Sequence, residues 1–217
     1  MDIVGSGILT SILHAISQSL LIPVIIILLL FVIFALISVG GLIAEYTSRK
    51  KFKLEESEGL IRSINNLNNL QEIKEKIQKS EISEEYKTAM IKVINNEDFG
   101  TETKRAFADK IIEEEELRME KAVEKTDMVV RLGPTFGLMG TLIPMGPGLA
   151  ALGAGNIDLL AQAIIIAFDT TVTGLAASAV AYVVSKLRKR WYEEDLSNFE
   201  VLINSTLEII EKNRFIK

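Results

Sequence analysis

Three long stretches without charge limit what this chain can fold into. Residues 20–44 and 132–157 contain no Asp, Glu, Lys or Arg, and residues 159–185 contain only Asp169. Each stretch is longer than the roughly 20 residues with which a helix crosses about 30 Å of hydrocarbon. We therefore predict an all-α integral membrane protein with three transmembrane helices, and the pattern argues against a soluble globular enzyme.

Composition argues against several classes of function. The 217-residue chain has no cysteine and one histidine, so it offers no thiolate metal site, cysteine nucleophile or histidine cluster. Its net charge of −5 and its aromatic content of 6% disfavour a nucleic-acid-binding surface. The sequence also shows no phosphate-binding loop. We expect no enzymatic activity, no catalytic residue, no metal site, no cofactor and no nucleic-acid partner.

The first 19 residues predict an amphipathic helix in front of the first span. Val4, Ile8, Ile12 and Ile16 form one stripe, which is typical of a helix lying on the outer membrane surface. The segment has no basic residue and no cleavage site, so we expect a retained span rather than a cleaved signal peptide. His14 is interpreted as an interfacial side chain, with a pH-sensing role as the alternative.

The distribution of basic residues predicts the orientation in the membrane. They follow the first and third uncharged stretches, and none precedes the first or lies between the second and the third. The positive-inside rule then gives an outside N-terminus and a cytoplasmic C-terminus. The basic residues concerned are Arg49, Lys50, Lys51, Lys53, Lys186, Arg188, Lys189 and Arg190.

These features together predict six segments of the chain. They are an extracytoplasmic amphipathic helix at 1–19, transmembrane helices at 20–44, 131–153 and 158–185, a cytoplasmic helical domain at 45–130, and a cytoplasmic C-terminal helix at 186–217. Residues 103–132 and 186–217 contain neither Gly nor Pro. We therefore expect the second and third transmembrane helices to extend without a break into a cytoplasmic helical bundle.

Apolar residues recur at helical spacing in the charged segments. Such stripes predict amphipathic helices that bury one face against each other, and they could also make contacts between subunits. The acidic run Glu113–Glu116 is interpreted as a solvated helix face, with a docking surface as the alternative. The stripes are Leu60, Ile61, Ile64, Leu67, Leu70, Ile73, Ile77; Tyr86, Met90, Val93, Ile94; Phe107, Ile111, Ile112, Leu117; and Leu196, Phe199, Leu202, Ile203, Leu207, Ile210.

The second and third spans differ in kind from the aliphatic first span, which we interpret as an anchor. Gly137 and Gly140 in the second span allow a neighbouring helix to approach closely. Pro144 and Pro147 each remove a backbone hydrogen bond and predict a bend that faces protein or water. In the third span, Asp169 costs about 2.5–3.5 kcal/mol to insert, so we expect it to have a partner or a function.

Two motifs in these spans carry a resemblance to a known family. The second span contains the pattern G-L-x-G-T, and the third contains A-x-x-x-T-x-x-G-L. Around them, residues 131–190 resemble the channel subunits of the MotA/TolQ/ExbB proton channel family. Three spans with a large loop after the first are similar to the ExbB/TolQ branch, because MotA-type proteins have four. The fixed positions are Gly137, Leu138, Gly140 and Thr141, then Ala167, Thr171, Gly174 and Leu175.

The resemblance implies a homopentamer in the inner membrane of a prokaryotic cell. The second and third helices of each subunit would line a pore, which holds single-span partner helices of the ExbD/TolR type. The partner would bring the aspartate that carries the proton, and ion flow would drive mechanical work outside the cytoplasm. Thr141 and Thr171 match the pore-facing threonines of the family, and Gly174 belongs to the helix-packing motif.

Threonine hydroxyls suit this role chemically. A hydroxyl donates and accepts, so it can face a carboxylate in either protonation state without adding a charge. The alternative is that Thr141 and Thr171 only bond to backbone carbonyls one turn earlier. A non-conducting membrane scaffold or receptor, which docks cytosolic proteins through the charged loop, also stays open as a function.

The sequence departs from the family pattern at one position. Ile166 stands where ExbB-like proteins carry a Glu, five residues before Thr171. The only acid nearby is Asp169, and two helical residues turn by about 200°, so Asp169 and Thr171 face opposite ways. Thr173 shares the side of Asp169 and could bond to it. Asp169 either replaces the missing Glu or is a buried structural acid, and the choice between H⁺ and Na⁺ stays open.

Overall fold

The computed structural model describes residues 6–48, 54–67, 69–95 and 100–215. Every regular element in these ranges is an α-helix, which confirms the all-α prediction. Three helical stretches of the described residues are long and apolar enough to cross a membrane, as predicted: Gly7–Ser48, Thr101–Gly153 and Ile157–Lys212. The helices are α1 (Ser6–Ser19), α2 (Leu21–Ser48), α3 (Leu54–Asn65), α4 (Leu70–Lys79), α5 (Glu84–Asn95), α6 (Thr101–Gly153) and α7 (Ile157–Phe215).

The chain divides into two compact units, to both of which α6 and α7 contribute. The apolar unit comprises residues 1–45 and 124–186, and the charged unit comprises residues 46–123 and 187–217. As expected from the absence of Gly and Pro in residues 103–132, α6 is one helix from Thr101 into the second uncharged stretch, where it ends at Gly153. The third uncharged stretch likewise continues into the C-terminal segment as α7.

A tight turn reverses the chain between α6 and α7. Gly155 has a φ of +79°, a conformation that suits glycine because it has no Cβ. Its N–H donates to the Leu152 carbonyl at 2.9 Å, and the Asn156 N–H donates to the Ala151 carbonyl at 2.9 Å. These two bonds satisfy carbonyls at the end of α6. The Asn156 Oδ1 then accepts the Leu159 N–H at 3.1 Å and caps the start of α7.

The core of the charged unit brings together the apolar stripes of α3, α4, α5, α6 and α7. At its centre the rings of Tyr86 and Phe199 stack with their centroids 4.3 Å apart. The expectation of a buried Leu117 is wrong, since it is 45% exposed; six residues beyond Ile111 the helix has turned away from the buried face. The predicted stripe residues buried here are Leu60, Ile64, Ile73, Ile77, Tyr86, Met90, Val93, Ile94, Ile111, Phe199, Leu202, Ile203, Leu207 and Ile210.

The acidic run in α6 splits between surface and interior. Glu113 is exposed and pairs with Lys110 at 2.9 Å. The Glu115 side chain is only 17% exposed and contacts Arg118, which also bonds to Glu85 of α5. Burial raises the pKa of the Glu115 carboxyl above its ordinary value, and the Arg118 charge opposes part of this rise. The run is therefore not one continuous solvated face.

In the apolar unit, α2 packs on α6 through one stripe. Val24 and Leu28 form a small buried cluster with Ile143 of α6, and the rings of Phe31 and Phe136 meet edge to face with centroids 5.8 Å apart. Most apolar side chains of α1 are exposed in the single chain. The first stripe position, residue 4, and the basic residues at 49–53 lie outside the described residues.

Candidate functional site in the α6–α7 hairpin

Within the apolar unit, α6 and α7 approach backbone to backbone. A Cβ added to Gly174 would lie 2.5 Å from the Gly133 carbonyl oxygen and 3.1 Å from the Gly137 Cα. One added to Gly140 would lie 2.5 Å from both Cβ and Oγ1 of Thr170. Only glycine allows so close an approach at these points. The structure thus brings three of the motif glycines, Gly137, Gly140 and Gly174, into one contact between antiparallel helices.

Two serines of α7 bond across this contact. The buried Ser178 hydroxyl donates to Gly174 of its own helix at 2.8 Å and lies 3.3 Å from the Val129 carbonyl oxygen of α6. Seven residues later, Ser185 is hydrogen-bonded to the Asp127 carboxylate of α6. Sequence reasoning assigned Asp127 to the charged loop and gave Ser178 no role. Their spacing of seven residues places the two serines on one face of α7. This spacing was the sequence signal from which their shared contact with α6 could have been predicted.

Thr141 and Thr171 are half-buried and bond to their own helices. The Thr141 hydroxyl donates to the Leu138 carbonyl at 2.7 Å, and the Thr171 hydroxyl donates to the Ala167 carbonyl at 3.0 Å. Each hydroxyl proton is therefore used locally. The oxygen keeps lone pairs that can accept a hydrogen bond from a protonated carboxyl group or contact a cation. The arrangement is compatible with helix packing alone and also with a site for an acid.

Thr170 is the threonine of the helix contact, and sequence reasoning missed it. It is 7% exposed and lies against Gly140. Its hydroxyl reaches the carbonyls of Ile166 and Ala167 at 2.9 and 3.0 Å, so this buried hydroxyl is paired within its own helix. Small residues at helical spacing mark the same buried face of α7 and were the signal that could have found it: Ala163, Ala167, Thr170, Gly174, Ala177 and Ala181.

Asp169 lies on the other side of α7 and is exposed in the single chain, as is Gln162 seven residues earlier. Thr173, one turn after Asp169, is half-buried, and Ile166 is 37% exposed. The hydroxyl bonds of the neighbouring Thr170 and Thr171 go to backbone carbonyls and not to Asp169. Among the described residues, no group of three or more acidic or histidine side chains could hold a metal ion. A carboxyl on this face is costly against hydrocarbon, so the face needs water or another protein helix.

Both prolines of the predicted bend lie inside α6, which continues through them. Pro144 is buried and Pro147 is exposed. Pro147 cannot donate to the carbonyl of Ile143, four residues earlier. That carbonyl instead accepts a hydrogen bond from the Gln18 side chain of α1 at 3.2 Å.

A comparison with known protein families assigns the part of the chain that contains α6 and most of α7 to one family. A model of the MotA/TolQ/ExbB proton channel family matches residues 69–201, which is more than half of the chain. The chain belongs to the MotA/TolQ/ExbB proton channel family. No curated protein and no solved structure matches it.

The family match covers all of α6 and the first 45 residues of α7, so both helices of the glycine contact are within it. MotA/TolQ/ExbB proteins are associated with channels and transport and are not enzymes. The chain is accordingly a multi-pass membrane protein of a proton channel family, and the family suggests assembly with other membrane proteins.

Proposed function

We propose that this chain is the channel subunit of an ExbB/TolQ-like motor. The motor converts the membrane ion gradient into mechanical work through a single-span ExbD/TolR-like partner, for energised transport or envelope processes. The observation that carries the proposal is the exposed face of α7 around Asp169, in a helix pair that belongs to the MotA/TolQ/ExbB proton channel family. Three candidate spans and a large charged segment after the first favour the ExbB/TolQ branch.

An oligomer is needed because a single α6–α7 hairpin cannot enclose an ion pathway. The α6–α7 pair is joined by its glycine contact, so it leaves no passage between its own helices. An ion pathway therefore requires several copies around a central pore, and the family resemblance makes the number five. In this arrangement the face with Asp169 is covered by a neighbouring subunit or by the water of the pore. The spans lie within residues 20–44, 131–153 and 158–185 of an inner-membrane protein, with the N-terminus outside and the C-terminus in the cytoplasm.

The geometry of the two hydroxyls suggests which protonation state of the partner's carboxyl the pore stabilises. Thr141 and Thr171 each donate to a backbone carbonyl, so they offer only lone pairs to the pore. A protonated aspartic acid of the partner can donate to those lone pairs, whereas its ionised form cannot. The threonines thus stabilise the loaded, neutral state of the carrier. Lone pairs of oxygen also suit Na⁺ as a ligand.

A second candidate is a non-conducting oligomeric scaffold that docks cytosolic proteins. The observation in its favour is the set of exposed acids on α6, including Glu113, Glu114 and Glu116. A scaffold needs no ion gradient and no hydroxyl in its spans. The two functions therefore differ in whether ions cross the membrane.

Reconstitution in liposomes distinguishes the two functions. The chain would be purified together with a co-expressed single-span protein of the ExbD/TolR type and placed in vesicles with an internal pH-sensitive dye. We expect proton flux when a membrane potential is applied and no flux with either protein alone. Replacing the proton gradient by a sodium gradient identifies the ion. Absence of flux of either ion from a stable complex would favour the scaffold.

The oligomer is itself a prediction. Native mass spectrometry in a mild detergent should give a mass of five copies of the 24.0 kDa chain. The physical reason is that the glycine-rich and polar faces of α6 and α7 cannot all face lipid. A monomer that still conducts ions in vesicles would contradict this prediction.

Removing either pore hydroxyl should reduce flux without preventing assembly. Thr141→Val and Thr171→Val keep the shape of the side chain but lose the lone pairs. A hydrogen bond between a hydroxyl and a neutral carboxyl group contributes about 0.5–1.5 kcal/mol, so we expect flux to fall by about 2- to 10-fold. Thr135→Val is the control, because Thr135 is an exposed threonine of α6 that also bonds to its own helix, at 3.3 Å. Unchanged flux in both pore variants would leave these threonines with packing alone.

A further inference from the structure

Pro147 leaves a gap in the backbone hydrogen bonding of α6. In an α-helix the N–H of residue 147 would donate to the carbonyl of residue 143, but proline has no N–H. Ile143 is 6% exposed and belongs to the buried cluster with Val24 and Leu28 of α2. Water therefore has little access to this turn, and a buried carbonyl without a donor is unfavourable.

The side chain of Gln18 fills this gap. Its Nε2 donates to the Ile143 carbonyl at 3.2 Å, although the two residues are 125 positions apart in the sequence. The amide must present its nitrogen here, because its oxygen would face another acceptor. Gln18 stands one residue before the end of α1, and Leu21 at the start of α2 packs on the same cluster. The junction of α1 and α2 is thus attached to α6 by a polar and an apolar contact.

We infer that Gln18 is a positioning residue of the channel: it supplies the hydrogen bond that Pro147 cannot make and holds the turn of α6 that follows Thr141. Thr141 lies two residues before Ile143, and its hydroxyl bonds to Leu138 in the preceding turn. Freed from Gln18, the Ile143 carbonyl would seek another donor and disturb the backbone beside Thr141. The effect on ion flux rests on the proposed function, whereas the attachment of α1 to α6 does not.

A double-mutant cycle tests the inference. Gln18→Met keeps the length of the side chain but removes the hydrogen-bond donor. Pro147→Ala restores a backbone N–H at residue 147 that can donate to the Ile143 carbonyl. In the native background, Gln18→Met should speed amide hydrogen exchange of α1 and reduce ion flux, each on the order of 3- to 10-fold. In the Pro147→Ala background, the same substitution should have no further effect on either quantity. Ser11→Ala is the control, because the Ser11 hydroxyl is exposed and bonds within α1 to Gly7 at 2.8 Å.

The outcomes separate the inference from the proposed function. An equal effect of Gln18→Met in both backgrounds would show that Gln18 acts by packing and would overturn the inference. Unchanged exchange in the native background would overturn it as well. If exchange follows the cycle but no variant conducts ions, the hydrogen bond is supported and the proposed function fails.

Discussion

Gly174→Ala is expected to prevent α6 and α7 from closing into their hairpin. The new methyl group would lie 2.5 Å from the Gly133 carbonyl oxygen and 3.1 Å from the Gly137 Cα. Both are backbone atoms and cannot rotate away, so the helices must separate. An overpacked contact costs about 1–3 kcal/mol where side chains can adjust, and we expect at least the upper end here. Thermal unfolding in detergent and size-exclusion chromatography should show a large loss of stability and of assembled protein.

Gly146→Ala is the matched control for this experiment. Gly146 is also a glycine of the hairpin, but a Cβ there meets no atom of the chain within 4 Å. Alanine favours a helix over glycine by up to about 1 kcal/mol, so this variant should fold at least as well as the native chain. Native stability of the Gly174→Ala variant would show that α6 and α7 are further apart than described. A loss in Gly146→Ala alone would assign that glycine to a contact between subunits.

Asp169→Asn is expected to abolish ion flux while the protein inserts and assembles normally. Asn has the size and hydrogen-bonding capacity of Asp but cannot release a proton. If Asp169 replaces the Glu that is missing at Ile166, the loss should be on the order of 100-fold or more, as for other residues that transfer protons. Flux in vesicles and the mass of the complex measure the two parts of this prediction. Asp158→Asn, in the first turn of α7, is the control for an exposed acid outside the uncharged stretches.

The result also decides between the two interpretations of Asp169. Near-native flux in a well-assembled Asn variant would remove Asp169 from the ion pathway and leave a carboxyl of the partner as the titrating group. In that case Asp169→Leu should disturb assembly, because a structural acid on the exposed face of α7 contacts a neighbouring subunit through hydrogen bonds. A conducting role predicts the opposite order: Asn impairs flux and leaves assembly intact.

The candidate spans and the helices of the charged unit could be predicted because their signals are local. An uncharged stretch such as residues 20–44 is compared directly with the thickness of a bilayer. The spacing of Tyr86, Met90 and Val93 defines a buried face through helix geometry alone. Leu117 is an exception to this rule, since it is apolar but lies off the buried face of its helix. Periodicity identifies which face of a helix is apolar and does not identify what covers it.

Pairing across the hairpin was decided by tertiary structure. The motif assigned Thr171 to the pore and gave Thr170 no role. Thr170 is the residue that lies against Gly140, because adjacent residues on a helix are about 100° apart and only the packing of two helices selects one of them for the contact. The link between Gln18 and Ile143 joins residues 125 positions apart. The position of Pro147 in the sequence already predicts that the Ile143 carbonyl lacks its usual donor within the helix. That Gln18 replaces this donor depends on how α1 packs on α6. The sequence by itself therefore determined which stretches can span a membrane and which helix faces must be covered, since both depend on local composition and spacing. Which side chains contact each other was decided only by the three-dimensional packing of the helices.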